Sequence, residues 1–300
     1  MVDLSIIVLS YNTKDLLLKC LESIKNMERG TWNMEIIVVD NGSTDGTVEE
    51  MKKEKIKMKN DNLKLKIIEN KENLGFAAGN NIGIRQAKGR YILLLNSDTV
   101  VFPNTLVSMY QYMNTHPEVG VATCRVEFPD GQLDPACHRG FPTPWASLTY
   151  FLGLERLFPK SKIFGRYHLG FLPMDKLHEI DSPTGAFYLV RQEIIDKVGF
   201  LDEDYFMYGE DLDWSYRIRQ AGWKIMYYPY VKIIHLKKQS GRVGENPEVR
   251  KQATCHFYET MKIFYKKHYK AEYPGVVTVL ILLAIEVKKR LDLLQHYIVL

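Results

Sequence analysis

The stretch LSIIVLSYNTKDLLLKCLESI, residues 4–24, decides the class of fold. Its first part, Leu4–Leu9, is an apolar run rich in Ile and Val, which is typical of a strand buried on both faces. Lys14–Met27 then carries apolar side chains at helical spacing. A buried strand followed directly by an amphipathic helix predicts a parallel sheet that is covered by helices.

The same alternation continues along the chain. Glu35–Asp40, Leu65–Glu69 and Tyr91–Leu95 are further candidate strands, and Phe76–Ala87 is a candidate helix. We therefore expect an α/β protein with a Rossmann-like, mostly parallel central sheet and helices on both faces. After about residue 119 the pattern loosens, and the strand-like pieces there are Val119–Val126, Ala186–Val190, Ile225–Tyr228 and Val231–His235.

The composition excludes several classes of protein. The net charge of +4 is too small to indicate general binding of nucleic acid. The first residues lead directly into the first strand, so no signal peptide is predicted. The cysteines are far apart and form no CxxC pair, which argues against a structural zinc site or a disulfide framework and favours a reducing cytosol. They are Cys20, Cys124, Cys137 and Cys255.

The turn after the first strand contains no glycine, and no GxxxxGK[ST] motif occurs anywhere. Both a dinucleotide fingerprint and a P-loop are therefore excluded, so a nucleotide would have to be held by side chains. In parallel sheets ligands bind beyond the carboxyl ends of the strands. Asp40 lies at such an end, where it could accept hydrogen bonds from a base or ribose or could simply form a turn with Asn41 and Gly42.

Two further strand ends carry candidate metal ligands. Asp98 follows the fourth strand, and Mg²⁺ or Mn²⁺ is commonly bound by one or two carboxylates together with substrate phosphates. Taken alone, an Asp in this place is more often a helix cap or turn residue. His235 ends a later strand and is either a metal ligand or an ordinary strand-end histidine.

A run of acids opens a helix in YGEDLDW, residues 208–214. Acids favour helix N-termini because of the helix dipole, which is the simpler explanation. Asp211, however, shares the inward face with Trp214 and Ile218. A partly buried carboxylate beside a substrate hydroxyl is a plausible general base.

Seven segments carry a resemblance to a known family: SIIVLSYN (5–12), VVDNGSTDGT (38–47), NLGFAAGNN (73–81), LLNSD (94–98), TGAF (184–187), GFLDE (199–203) and YFMYGEDLDW (205–214). In this order they resemble glycosyltransferase family 2, the inverting enzymes with the nucleotide-diphospho-sugar transferase (GT-A) fold. The likeness covers roughly residues 3–240 and is greatest to the rhamnosyltransferase-like branch that builds bacterial surface polysaccharides.

The resemblance implies a role for each end of the sheet. Asp40 would contact the nucleotide base, and the segment Asn96-Ser97-Asp98 stands where the family has its Asp-x-Asp motif. Asp98 would hold a divalent cation, Mg²⁺ or Mn²⁺, that bridges the donor diphosphate. The residues lining the rest of the nucleotide pocket would be Ser10, Tyr11, Asn12 and Asn73.

It also implies roles around the helix that begins near residue 210. Asp211 would be the base that deprotonates the acceptor hydroxyl, and Glu210 would orient the acceptor or its loop. His235 would complete the shell of the cation, while Gly185 and Trp214 would contact the acceptor. One departure concerns Asn96, which replaces the first Asp of the usual motif. The lost charge predicts weaker binding of the cation.

The C-terminal segment, residues 246–300, is basic and apolar. Glu248–Lys270 is a candidate helix, and the apolar run Val276–Val287 has twelve positions, whereas a bilayer span needs about 20. The segment either packs on the main domain or in a dimer interface, or it lies on an anionic membrane surface.

We therefore predict a GT-A domain over residues 1–245, with a nucleotide half (1–100) and an acceptor half (101–245). Its expected function is metal-dependent, inverting transfer of a sugar, dTDP-rhamnose being one candidate donor, to a glycan or lipid-linked acceptor at the cytoplasmic face of the membrane. A homo-oligomer is compatible with this. The alternatives are an inactive glycan-binding or scaffold module and a sugar nucleotidyltransferase, although the Gly-rich basic loop expected of the latter is missing.

Overall fold

The computed structural model describes residues 2–28, 32–60, 64–236 and 247–298, with side chains except at 57–60 and 295–298. Within these residues nine strands form one sheet: β1 (Val2–Ser10), β2 (Met34–Asp40), β3 (Lys64–Glu69), β4 (Gly89–Asn96), β5 (Thr99–Val101), β6 (Val119–Glu127), β7 (His178–Glu179), β8 (Phe187–Arg191) and β9 (Lys224–His235). Their order is β3-β2-β1-β4-β8-β6-β9-β5, and β7 pairs with β9.

Helices cover both sides of this sheet. In the described ranges they are α1 (Lys14–Lys25), α2 (Thr47–Asn60), α3 (Phe76–Ile84), α4 (Thr105–Thr115), α5 (Pro144–Phe151), α6 (Leu154–Leu157), α7 (Gln192–Val198), α8 (Glu210–Gln220), α9 (Pro247–His268) and α10 (Gly275–Ile298). Short 3-10 turns occupy Pro135–Cys137 and Lys270–Glu272. The α/β class predicted from the sequence is confirmed.

Strand direction explains how the sheet forms a ligand-binding edge. β1 pairs in parallel with β2 and β4, and β2 pairs in parallel with β3. β8 is antiparallel to both β4 and β6, and β9 is parallel to β6, so β6 and β9 again run in the direction of β1. The pairs Ser10–Asp40 and Leu9–Asn96 are in register, which brings three polar strand ends to one edge.

The centre of the sheet is buried because its sequence is apolar on both faces. Ile6, Ile7 and Val8 of β1 have no exposed surface. α3 packs closely on this strand, since a Cβ atom at Gly83 would lie 2.6 Å from Cγ2 of Ile7. Such a helix can approach the sheet only where its contact face consists of small residues, and Gly79 provides the same space against Leu9.

Strand β9 differs from the sequence prediction, which placed two strands on either side of Pro229. The structure has one strand from Lys224 to His235. Its register against β6 jumps between the pairs Cys124–Tyr228 and Arg125–Lys232. This bulge leaves Pro229 outside the ladder, where its missing N–H costs no hydrogen bond.

The two C-terminal helices form a unit with the acidic end of α8. Phe264, Tyr265 and Tyr269 form an apolar cluster with Tyr205 and Leu212. The predicted boundary at residue 245 lies outside the described residues. Among the helices of the described ranges, none combines the length and the hydropathy that a bilayer span requires.

Candidate active site

A cavity of about 460 Å³ opens at the carboxyl edge of the sheet, between the N-terminus of α8 and helix α9. It brings together six of the residues that the sequence singled out. They are Asn96 at the end of β4, Asp98 just after it, Gly185 before β8, Glu210 and Asp211 of α8, and His235 at the end of β9. The lining is otherwise largely aromatic and apolar, and includes Phe76, Tyr150, Phe151, Tyr167, Phe257, Met261 and Phe264.

Asp211 is fixed from three directions at the start of α8. Oδ2 accepts a hydrogen bond from Nη2 of Arg139 at 2.7 Å and one from the backbone N–H of Gly185 at 3.2 Å. Oδ1 accepts from the N–H of Leu212 at 2.8 Å. The carboxylate therefore has one orientation in the cavity wall, as a positioned proton acceptor requires.

Arg139 is the buried cation that faces this carboxylate, and only 8% of it is exposed. Its Nη2 also donates to the carbonyl of Pro183 at 2.6 Å. Burial opposes the charge of the guanidinium, but Asp211 and the Tyr167 hydroxyl outweigh burial and hold the pKa of Arg139 above its ordinary value. The guanidinium is thus held as a cation beside the Asp211 carboxylate in a largely apolar wall.

Glu210 is the second acid at this helix start, and it differs from its neighbour. Within the described part of the chain its buried Oε2 has no hydrogen-bond partner. Burial, followed by the charge of Asp211, raises the pKa of Glu210 to about 8. Two adjacent carboxyl groups with different partners are able to take different roles in proton transfer.

His235 joins the polar side of the cavity to a buried acid. Its Nδ1 lies 2.9 Å from Oδ2 of Asp134, and its Nε2 lies 3.2 Å from Oδ1 of Asp98. Burial disfavours a charged imidazole, but the two carboxylates outweigh it and raise the pKa of His235 to about 9. Nε2 also lies 3.4 Å from Nδ2 of Asn96.

The donor set at this point fits a hard cation only in part. Asp98 supplies a carboxylate, and Nε2 of His235 becomes a ligand only when the cation displaces its proton, because both ring nitrogens face carboxylates. Cations such as Mg²⁺ usually complete their shell with substrate phosphates. Among the described residues no group of three or more His, Cys, Asp or Glu side chains converges on one point. Among the described residues this point therefore offers two ligands, and the remaining oxygens would come from a diphosphate.

Asp40 ends β2 in a turn that also leaves an acceptor free. Oδ2 accepts from the N–H groups of Gly42 at 3.2 Å and Ser43 at 2.9 Å. Oδ1 is buried and has no partner among the described residues. The turn and the binding interpretation are therefore compatible, since one oxygen holds the turn and the other remains for a ligand.

The other predicted nucleotide residues lie along the same edge but outside the large cavity. A chain of hydroxyl groups connects Ser10, Thr13 and Ser97 at 2.9 Å per step, which links β1 to the residue before Asp98. Tyr11 is 47% exposed. Asn12 accepts from the N–H of Thr44 at 2.8 Å.

Asn73 is occupied by its own turn. Its Oδ1 accepts from Nδ2 of Asn41 at 2.8 Å and from the N–H of Gly75 at 3.0 Å. These bonds shape the loop before α3 and leave its amide nitrogen as the group that can reach a ligand.

The expectation for Trp214 is wrong. Its indole is completely buried, stacks on Tyr188 with a centroid distance of 5.2 Å, and donates to the carbonyl of Gly199 at 2.9 Å. The indole packs between α8 and strand β8 and is not part of the cavity wall. Gly185, by contrast, does line the cavity, and a Cβ atom there would lie 2.8 Å from Cζ of Phe76.

Sequence reasoning missed three residues of this site: Arg139, Asp134 and Tyr167. Arg139 is 72 positions from Asp211, and Asp134 is 101 positions from His235. No local spacing connects residues so far apart. The only available signal was that they stand in or beside the long irregular segment before β7, where loops are often functional.

Comparison with known proteins agrees with this geometry. The fold is that of GT-A glycosyltransferases. Residues 5–179 match the profile of Glycosyl transferase family 2, and the chain belongs to that family. Relatives named as rhamnosyltransferases are among the matches, at 25% and 28% identity.

Among relatives, the N-acetylglucosaminyl-diphospho-decaprenol L-rhamnosyltransferase of Mycobacterium tuberculosis is 25% identical over 227 residues, or 71% of this chain and 69% of that protein. The uncharacterized protein y4gI of Sinorhizobium fredii is 25% identical over 220 residues, 73% of this chain, but the match spans only 23% of its length. Among solved structures, the mannosyltransferase PcManGT from Pyrobaculum calidifontis, in complex with GDP-Man and Mn²⁺, has a TM-score of 0.62 at 17% identity, covering 98% of this chain and 72% of that one.

Proposed function

We propose that the protein transfers a sugar, with inversion, from a nucleotide-diphospho-sugar to a glycan or lipid-linked acceptor in the synthesis of a surface polysaccharide. One observation carries the proposal. A fixed carboxylate, Asp211, and a partial cation site, Asp98 with His235, line the same cavity at the carboxyl edge of the sheet. Those are the two groups that an inverting displacement at an activated sugar needs.

The donor would lie along the edge formed by β1, β2 and β4. The free Oδ1 of Asp40 would accept a hydrogen bond from the base, and the loop Ser10–Asn12 with Asn73 would enclose the nucleoside. Solved structures of the same fold are complexes with UDP-GlcNAc or with GDP-Man, so the fold accepts several bases. Given the rhamnosyltransferase relatives, dTDP-rhamnose is the first donor to test.

The diphosphate would reach Asp98 and His235, the two residues that would hold a cation together with the phosphate oxygens. A divalent cation bound there, Mg²⁺ or Mn²⁺, would neutralise the charge that develops on the departing diphosphate. Asn96 adds no negative charge to this site, so cation binding depends strongly on the phosphates. The amide of Asn96 remains able to donate a hydrogen bond to a phosphate or ribose oxygen.

The acceptor would enter through the aromatic side of the cavity. Asp211 would take the proton of the acceptor hydroxyl as the hydroxyl oxygen bonds to the anomeric carbon from the face opposite the diphosphate. Arg139 holds the carboxylate in place, and Glu210 would bind a neighbouring hydroxyl. A single displacement of this kind inverts the anomeric configuration and forms no covalent intermediate with the protein.

Helix α10 supports a location at the membrane surface. One stripe of the helix is apolar and exposed, and Leu280 and Leu283, at its centre, are 60% and 57% exposed. Lys288, Lys289 and Arg290 follow in the same helix. These three cations pair with Asp292, Glu259 and Glu286, so the exposed apolar stripe is the feature that suits the helix to the interface of a bilayer, where a lipid-linked acceptor would be found.

The direct test is release of nucleoside diphosphate from a panel of dTDP-, UDP- and GDP-sugars, each with and without Mn²⁺ or Mg²⁺, followed by NMR of the product linkage. Cation-dependent transfer from one donor with inverted anomeric configuration would support the proposal. In parallel, a ligand that binds only the folded state at a hundred times its Kd stabilises it by about 2.7 kcal/mol, which a thermal shift detects. Binding without any transfer would favour an inactive glycan-binding module.

A further inference from the structure

A second exposed apolar surface, distinct from α10, lies on the segment that contains α5 and α6. Leu152 is 63% exposed, Leu157 69% and Ile163 60%. Trp145, Leu148 and Phe158 are each roughly half exposed on the same segment. We call these six side chains the α5–α6 apolar face. Exposed apolar residues grouped in this way usually mark an interaction site.

The segment is held in one conformation although its apolar side chains point outward. The Thr143 hydroxyl caps α5 by accepting from the N–H of Ala146 at 3.1 Å. Trp145 Nε1 donates to the carbonyl of Ile163 at 2.9 Å, and the Thr149 hydroxyl donates to that of Phe164 at 3.1 Å. The exposed apolar side chains therefore belong to a segment with a defined conformation.

The exposed charged side chains of this segment, residues 143–174, are all basic. Arg156, Lys160, Lys162 and Arg166 are all exposed. Between Thr143 and Met174 the only acid is Glu155, which is 8% exposed and accepts from the N–H of His168 at 2.8 Å. Exposed apolar side chains among exposed basic residues match the interface of an anionic bilayer, and Arg166 also interacts electrostatically with Asp181.

The same charges argue against a symmetric contact between two copies of the chain. In a two-fold interface the same patch meets itself, so four cations of one copy would face four of the other. No exposed acid is available in the segment to pair with them, and opposed like charges disfavour association.

The face also lies beside the active site. Ser147, Tyr150 and Phe151 of α5 line the cavity, while Trp145 and Leu148 of the same helix point outward. A surface that docks this side of α5 on a bilayer would turn the cavity toward the headgroups. We propose that the α5–α6 apolar face inserts into the interface of an anionic membrane and delivers a lipid-linked acceptor to the cavity; the delivery rests on the proposed function, whereas the insertion does not.

The test uses the full chain and vesicles of phosphatidylcholine with about 30% phosphatidylglycerol, the proportion being chosen to give an anionic surface. Brominated lipid in these vesicles should quench tryptophan emission, and Trp145→Phe should remove most of that quenching. The triple variant Leu152→Gln, Leu157→Gln, Phe158→Gln should lower the vesicle partition coefficient about tenfold, because three apolar anchors are lost. The triple variant Arg156→Gln, Lys160→Gln, Lys162→Gln should lower it on anionic vesicles and not on pure phosphatidylcholine.

Ile56→Gln is the matched control, since Ile56 is 71% exposed on α2, away from this face, and it should leave partitioning unchanged. Circular dichroism verifies that the variants are folded. Partitioning and Trp145 quenching that do not depend on the face would overturn the inference. So would a variant that dissociates a dimer in sedimentation without changing vesicle binding, because the face would then be a contact between copies.

These measurements need neither donor nor acceptor, so they separate the two proposals. If the α5–α6 apolar face governs vesicle binding but no nucleotide-sugar is consumed, the proposal that this face inserts into membranes stands and the transferase proposal fails. If transfer to a water-soluble acceptor is normal in the Leu152/Leu157/Phe158 variant while turnover of a lipid-linked acceptor in vesicles falls, both stand.

Discussion

The Arg139 guanidinium lies 2.7 Å from the Asp211 carboxylate and is one of three groups that fix it in the cavity wall. The two residues are 72 positions apart, and both are about one-tenth exposed at their side chains. Such a pair contributes orientation more reliably than stability, since both charges had to be removed from water. The main effect of this ion pair is to orient the Asp211 carboxylate toward the part of the cavity where an acceptor would bind.

Arg139→Gln should therefore be strongly destabilising, because it leaves a buried carboxylate without its counter-charge. A cost of about 3–5 kcal/mol in the free energy of unfolding is expected for a broken buried pair. The double variant Arg139→Met, Asp211→Leu should recover most of that loss, since neither charge is then buried. Urea unfolding measures both. A single variant that costs less than about 1 kcal/mol would mean that water or another cation replaces the guanidinium.

Glu210→Gln should change the pH dependence of stability. The folded-state pKa of Glu210 is about 8, raised by burial, whereas the unfolded value is about 4.5. Between these values the folded protein retains a proton that the unfolded chain releases, so the wild type loses stability as pH rises through this window. Gln resembles the protonated form and removes this loss.

The variant should thus match the wild type near pH 5 and exceed its unfolding free energy near pH 8, by on the order of 1 kcal/mol or more. Urea titrations at the two pH values test this. The variant Glu22→Gln makes the same change of charge on the exposed side of α1. An equal offset at both pH values in Glu210→Gln would contradict the buried, protonated state.

Asn96→Asp should strengthen cation binding, because it adds a second carboxylate next to the pair formed by Asp98 and His235. The cation concentration that half-saturates nucleotide binding should fall about tenfold, and Asp98→Asn should abolish the cation dependence. Thermal shift with the preferred nucleoside diphosphate provides the readout. Asn104→Asp adds the same charge at an exposed helix cap and should have no effect. If Asn96→Asp weakens cation binding, the cation does not lie at this strand end.

The part of the fold that local sequence determines was predictable. β1 and α1 differ in hydrophobic period within 25 residues, so their types and their order follow from the sequence alone. Polar residues after each apolar run likewise identified the functional edge. The antiparallel β8 and the bulge in β9 could not be inferred, because they depend on which strands meet in space.

In the active site, too, local sequence patterns predicted some features and the tertiary structure was needed for the others. Helical spacing placed Asp211 and Trp214 on one face of α8, which is correct, but it could not tell their depth. Asp211 lies in the first turn of α8 and reaches the cavity. Trp214 lies about one turn further along the helix, is completely buried and stacks on Tyr188 of β8. Arg139 and Asp134 come from loops, and only the tertiary structure brings them to their partners.

One pair of variants tests most directly whether Asp211 accepts the acceptor proton. Asp211→Asn should lower the turnover number by about 10²- to 10⁴-fold, as expected when a positioned base is lost, with the Kd of the donor unchanged. Asp213→Asn removes the acid two residues further on, which binds Arg217 and His268 outside the cavity, and should leave turnover near that of the wild type. If Asp211→Asn retains turnover, or if both variants lose it equally, Asp211 is not the base.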